Sequence, residues 1–327
     1  MLYRYRSLEF IDREIDALKN SYLYAASFDQ MNDPMEAFYE LGTEEDIIIN
    51  NSFSTNPLSA NPPVSGYVYS LYKNLINQFG LLSFSKSNLK YPMWAYYANK
   101  FSGICLELDE LILMQGSLNG ENIVPITYSD EALPPISMLE LITSSQKQII
   151  TTILLRLTRK QKDWQHEDEI RIVTGKVGKK YYFEDALKKI FLGPKIDEKH
   201  KDLICSIFEN RPTEVLMGKI KGYEINFETI KPAKHLEKSE KVGQVFFVMK
   251  DALNYSEKDV RFFLDVPYNS FESLCKQLTM HPNMEKIHLI NIEDSMLHFH
   301  IEYKTRGTPI PHTHRYYDKK LNLINIR

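Results

Sequence analysis

The 327 residues include only 13 glycines and three cysteines, and their charges nearly cancel, with 40 Lys and Arg against 43 Asp and Glu. Scarce glycine argues against a glycine-rich phosphate loop and against low-complexity disorder. Cys105, Cys205 and Cys275 are odd in number and far apart, so they form neither a disulfide framework nor a metal knuckle; reduced thiols are expected. A net charge of −3 supplies no global field toward nucleic acid or anionic lipid, and any nucleic-acid role must rest on a local patch. No window approaches the roughly 20 apolar residues that span a bilayer. The opening MLYRYRSLEF has arginines without an apolar run behind them, so no signal peptide and no membrane partner are expected, and the predicted location is cytoplasmic.

Aromatic residues, by contrast, are plentiful, with 20 Tyr and 17 Phe. The length exceeds what one compact core usually holds, which predicts two domains. LYRYRS alternates as a strand, the segment from Phe10 to Leu18 has helical spacing, and SYLYAAS reads as a strand. Further strands are expected at LLSFS, ICLELD, IVPITYS, EIRIVTG, KKIFLG and the pair TEVLMGKIKG and YEINFETI. A long helix is expected over 135–160, with Arg156, Arg159, Lys160 and Lys162 crowding its end. Mixed local and distant strands make an α+β domain over 1–230 with a mixed sheet. Apolar periodicity stops over 231–243, which reads as a linker, and 244–327 reads as a small antiparallel α+β domain able to take a protein partner.

Four segments carry a family resemblance: LYRYRS, FDQMNDPMEAF, LLSFSKSNLKYPMWAYYANKFSGICLELD, and KDWQHEDEIRI followed by KKIFLG. In order and approximate spacing, residues 1 to about 225 resemble a bacterial family known as domain of unknown function 2971. The resemblance implies an α+β fold and directs attention to Arg4, Tyr5, Arg6, Asn32, Asp33, Glu36, Ser83, Trp94, Tyr97, Gly103, Trp164, Glu167, Glu169 and Arg171.

A second similarity is to ADP-ribosyltransferases of the arginine–serine–glutamate class. Arg4 or Arg6, then Ser83 and Ser85, then Glu167 and Glu169 occur in that order. The similarity implies NAD as cofactor. An arginine would hold the dinucleotide phosphates, and the serines would brace the nicotinamide ribose. Glu169, with Glu167, would stabilise the oxocarbenium-like charge as nicotinamide leaves, with Tyr97, Tyr5 or Trp94 beside the base.

The residues by themselves leave other readings open. On a strand, Glu167, Glu169 and Arg171 would share one face while Ile170 and Ile172 enter the core. Two carboxylates there could divide acid and base roles, or form a solvated charged face. Asp33, Glu36, Glu167 and Glu169 could instead converge on Mg²⁺, with the basic helix end gripping phosphate as in a nuclease. Asn32 and Asp33 equally suit a turn before a helix. A non-enzymatic ligand sensor or interaction module is the third class. In the tail, His298, His300, His312 and His314 are spaced by two, so an antiparallel hairpin of even register puts all four on one face with Glu302. An exposed sheet face is the plainer reading of them, and a divalent transition metal the sharper one.

Overall fold

A computed structural model describes residues 1–31, 64–245, 249–307 and 312–324. The strands are β1 (Leu2–Arg6), β2 (Tyr22–Ala25), β3 (Gly80–Ser85), β4 (Ile104–Leu108), β5 (Asn122–Pro125), β6 (Thr127–Tyr128), β7 (Arg159–Lys160) and β8 (Glu169–Thr174). They continue with β9 (Gly178–Tyr181), β10 (Leu187–Leu192), β11 (Glu214–Lys221), β12 (Glu224–Lys231), β13 (Met284–Glu293), β14 (Met296–Tyr303), β15 (His312–Tyr317) and β16 (Leu323–Ile324). The class is α+β. Two compact units are interleaved along the chain: Met1–Leu23, Trp94–Asn119 and Lys180–Arg327 form the first, and Tyr24–Met93 with Gly120–Lys179 the second. No helix among the described residues is long and apolar enough to cross a membrane.

In the first unit, strands run in the order β12-β11-β10-β4-β1. Only β10 and β11 are parallel; the other pairs are antiparallel, so the sheet is mixed. All five residues of β4, ICLEL, are buried, as a central strand covered on both faces requires. After β12, residues 231–243 hold one short 3-10 turn, Leu236–Lys238. Backbone hydrogen bonds tie this stretch to Asn210 and Arg211 on one side and to Pro282 on the other.

The C-terminal part of that unit is a four-stranded sheet, β13-β14-β15-β16, with antiparallel pairing throughout. Along β14, Leu297, Phe299, Ile301 and Tyr303 point into a core shared with Val260, Phe271, Cys275 and Leu278. The last four come from the helices Glu257–Phe263 and Tyr268–Thr279. Period-two alternation then leaves Met296, His298, His300 and Glu302 on the opposite face.

In the second unit, β3-β8-β5 pair antiparallel, and β6 pairs parallel with β7. Their core joins Leu81 and Val173 to Tyr72, Ile76, Ile136, Ile153 and Leu157. The single helix expected over 135–160 is two, Met138–Thr143 and Gln146–Leu157. The break has a local cause: Ser145 and Gln148 form a reciprocal capping box that starts the second helix, while Ser144 is extended.

Close backbone approach fixes the site of Gly103, just before β4. A Cβ there would overlap the Arg6 carbonyl and the Ala98 backbone, neither of which is a flexible side chain. Gly103→Ala is therefore expected to lower stability by about 1–3 kcal/mol, read as a lower urea midpoint with an unchanged slope. A midpoint equal to that of the parent would contradict this packing.

Candidate functional site

Among the described residues, two clusters of titratable side chains contain residues singled out from the sequence, one in each unit. In the second unit the residues come from KDWQHEDEIRI. A 3-10 turn, Lys162–Glu167, is followed by Asp168 in the left-handed region (φ 47°), and β8 starts at Glu169. Glu167 therefore arrives from a turn and not by strand alternation with Glu169, which corrects the expectation of three charges along one strand face. Ile172 enters the core as expected, at 0% exposure, but the charged face is covered too: Glu169 and Arg171 are buried at 4% and 0% exposure, and Ile170 is half-buried.

Pairing of β3 with β8 sets Ser83 opposite Arg171 and Ser85 opposite Glu169. Lys160, at the end of β7, completes the group. Its Nζ lies 2.6 Å from Glu167 Oε2 and 3.3 Å from Glu169 Oε2. Arg171 donates to Glu169 Oε1 from Nε (2.9 Å) and Nη2 (2.7 Å), and to the Leu157 carbonyl from Nη1 (2.6 Å). The Ser85 hydroxyl donates to the Glu167 carbonyl (2.8 Å), and the Glu169 N–H to the Tyr128 hydroxyl (2.9 Å). Lys160 also sits 5.1 Å from the centre of the Trp164 ring.

Two cations thus face two carboxylates in a water-poor interior. Removing such ions from water costs several kcal/mol each, which only close pairing offsets. At Glu169 burial pushes the carboxyl pKa up, but Arg171, Lys160 and the Ser83 hydroxyl together outweigh it and hold it below the ordinary value. A carboxylate so held is a poor base near neutrality. Sequence reading placed Lys160 in a basic helix end and missed this role; the signal available was its spacing of seven and nine from two acids that must be neutralised.

The remaining predicted residues have separate settings. Arg6 pairs with buried Glu14 through Nε (2.8 Å) and Nη2. Arg4 lies on β1 opposite Leu106. Trp94 is fully buried, edge-on to Tyr5 at 5.3 Å and stacked with Phe227 at 5.9 Å, while Tyr97 is half-buried. Arg4, Tyr5, Arg6, Trp94 and Tyr97 belong to the first unit, and Ser83, Ser85, Trp164, Glu167, Glu169 and Arg171 to the second. Asn32, Asp33 and Glu36 lie outside the described residues. The basic run is occupied internally: Arg156 donates to the Pro134 carbonyl (2.6 Å), Arg159 to Ser129 Oγ (2.6 Å) and the Glu131 carbonyl (2.8 Å), and Lys162 meets Asp130 at 3.3 Å.

The second cluster is in the C-terminal sheet of the first unit. The β14–β15 register pairs His300 with His314, Glu302 with His312 and His298 with Tyr316, so the four spaced histidines and Glu302 share a face. The His298 and His314 rings are hydrogen-bonded (Nε2 to Nδ1, 2.8 Å), as are those of His300 and His312 (Nε2 to Nδ1, 3.2 Å). His300 stacks on His314 at 4.7 Å and 7°. A fifth imidazole, His288 of β13, joins from the other side, 5.2 Å from the His300 ring and with Nε2 2.5 Å from Glu302 Oε2. His288 was missed from sequence because a bulge in β13 between Ile287 and Leu289 shifts its register.

An imidazole-to-imidazole hydrogen bond needs a neutral ring as acceptor. Burial, followed by the charges His314, His288, His312 and His298 would carry, pushes the His300 pKa below the ordinary histidine value. Ligand atoms of His288, Glu302 and His312 lie within 4.8 Å of one another.

Residues 93–172 match a family described as protein of unknown function (DUF2971). The DUF2971 segment is shorter than the stretch of about 225 residues over which the motifs run. It contains Trp94, Tyr97, Gly103, Trp164, Glu167, Glu169 and Arg171, and excludes Arg4, Arg6, Ser83, Ser85 and the histidine face. No curated protein and no solved structure matches the chain.

The buried network generates a stability prediction. Glu169→Gln leaves Lys160 and Arg171 facing Glu167 alone, and is expected to cost about 3–5 kcal/mol at neutral pH. A folded pKa below the unfolded value of 4.5 means the parent carries this stabilisation fully above that pH and loses it as pH falls through the folded value. The variant should therefore lose less stability than the parent on acidification below about pH 4.5. Urea midpoints measured from pH 7 to pH 3 check this, and parallel curves for the two chains would refute it.

Proposed function

We propose that the protein is a non-enzymatic, ligand-responsive binding module in which the DUF2971 segment serves as scaffold and the C-terminal histidine face meets the ligand. The observation that carries this reading is the convergence of five imidazoles and Glu302 on one sheet face whose reverse side is core. A sheet needs no such face for stability, since stacked imidazoles repel one another once protonated. Side-chain exposures of 31% for His288 and 18% for Glu302 leave both within reach of solvent.

The NAD-using reading draws on a different observation, the placement of Ser83 and Ser85 beside Glu167 and Glu169. Catalysis there needs a carboxylate presented to the ribose as positive charge develops. Both Glu169 oxygens are instead taken by Arg171 and Lys160, and Glu167 by Lys160. Transfer chemistry would have to break two buried ion pairs before it began, which weighs toward the scaffold role.

Purified chain incubated with NAD is expected to release nicotinamide no faster than buffer, and Glu169→Gln should leave that background unchanged. Nicotinamide release that disappears in Glu169→Gln would overturn the binding-module reading.

A further inference from the structure

The residues at one end of the histidine ladder have the chemistry of a metal site. We propose that His288, Glu302 and His312 form a binding site for a divalent transition metal of the zinc, cobalt or nickel kind, with His300 orienting His312. The assignment names the ligand class of the face read above as ligand-binding, and rests on that reading.

Three observations carry it. The donor set, two imidazoles and one carboxylate, is of the borderline type that such ions prefer over magnesium or calcium, which take oxygen-rich sets. The three ligand atoms lie within 4.8 Å of one another. A tetrahedral zinc site with bonds of about 2.0–2.2 Å sets its ligand atoms about 3.3–3.6 Å apart, so closure needs about 1 Å of side-chain rotation and no movement of the sheet. Finally, the three donors come from three adjacent strands, β13, β14 and β15, with Glu302 opposite His312 in register and His288 at the bulge between the paired Ile287 and Leu289. A rigid platform of that kind keeps the entropy lost on binding small.

His300 supplies the outer contact that metal-bound imidazoles need. Its Nε2 lies 3.2 Å from His312 Nδ1, which orients the His312 ring and would leave Nε2 of His312 as the ligand atom. His300 is in turn stacked on His314, whose Nδ1 is hydrogen-bonded to His298, and His298 Nδ1 lies 3.3 Å from Glu293. The ladder thus runs from the proposed ligands to a second carboxylate. Three protein donors leave the fourth tetrahedral position to solvent or to a group brought by a partner. The ion would replace the contact between His288 and Glu302 with two bonds to metal, and the net charge of the site becomes only +1 when a doubly charged ion meets one carboxylate and two neutral imidazoles.

The test uses the full chain stripped of metal by chelation and titrated with zinc in a calorimeter and with cobalt in a spectrophotometer. The expected result is one ion per chain, with cobalt absorption of the intense, four-coordinate type. His288→Ala, Glu302→Gln and His312→Ala should each lower affinity by more than roughly 100-fold, and His300→Ala by roughly 10- to 100-fold, the range of an outer contact. His235→Ala, an exposed histidine far along the chain, should bind as the parent does. A circular-dichroism melt of each variant separates loss of a ligand from loss of the fold. Absence of binding by the folded parent, or binding unchanged in all three ligand variants, would overturn the metal assignment. Either outcome, with no nicotinamide released from NAD, would leave the binding-module reading in place, whereas Glu169-dependent nicotinamide release would remove that reading whatever the metal result.

Discussion

Charge brought into a protein interior must be neutralised where it lies, and the second unit is organised around that constraint. Arg171 has no exposed surface and Lys160, Glu167 and Glu169 have almost none. Their arrangement explains local features that would otherwise be unconnected. The left-handed Asp168 is needed to bring Glu167 back toward Lys160, Ser85 holds the Glu167 carbonyl, and the end of the helix Gln146–Leu157 offers a carbonyl to Arg171. The DUF2971 segment ends at Ile172, just past the last of these charges.

The C-terminal sheet shows the complementary case. There most of the titratable groups stay within reach of solvent, with His298 buried, on a sheet whose other side is hydrophobic, and they are mainly imidazoles that can be neutral in place of fixed charges. Fixed ions in a closed interior make a rigid element with little left to offer a substrate. Imidazoles on an open, rigid face can exchange protons for a metal or a partner without disturbing the core. The buried ion network and the proposed ligand face thus follow from the same electrostatic rule applied at two depths.

Much of this was legible in the sequence. Short runs rich in aliphatic and β-branched residues identified the strands at ICLEL, EIRIVT, KKIFL and the β11–β12 pair, and spacing by two put His298, His300, His312 and His314 on one face. Pattern alone could not show that the charged side of β8 is buried as well as the apolar side, because period two gives the alternation and not how many faces the tertiary structure covers. Nor could it show that Lys160, read as a helix-end cation, would enter the interior with Glu167 and Glu169. The break at Ser145 was visible as a capping signature inside an apolar period, and the period masked it. His288 required the register of a bulged strand, which depends on pairing with β14. The order of Ser83, Ser85, Glu167 and Glu169 along the chain did correspond to proximity in space, but order carries no information about which partners would occupy the carboxylates.

Non-additivity in the buried network is the most direct test of the scaffold role. Unfolding free energies would be measured for Glu169→Gln, Arg171→Met and the double variant. Either single change leaves an unequal number of buried cations and carboxylates, whereas the double change leaves Lys160 paired with Glu167 at net zero charge. The double variant is therefore expected to lose clearly less stability than the sum of the two singles, with a coupling of about 1–3 kcal/mol. Losses that simply add would contradict the claim that mutual neutralisation of buried charge holds this part of the protein together.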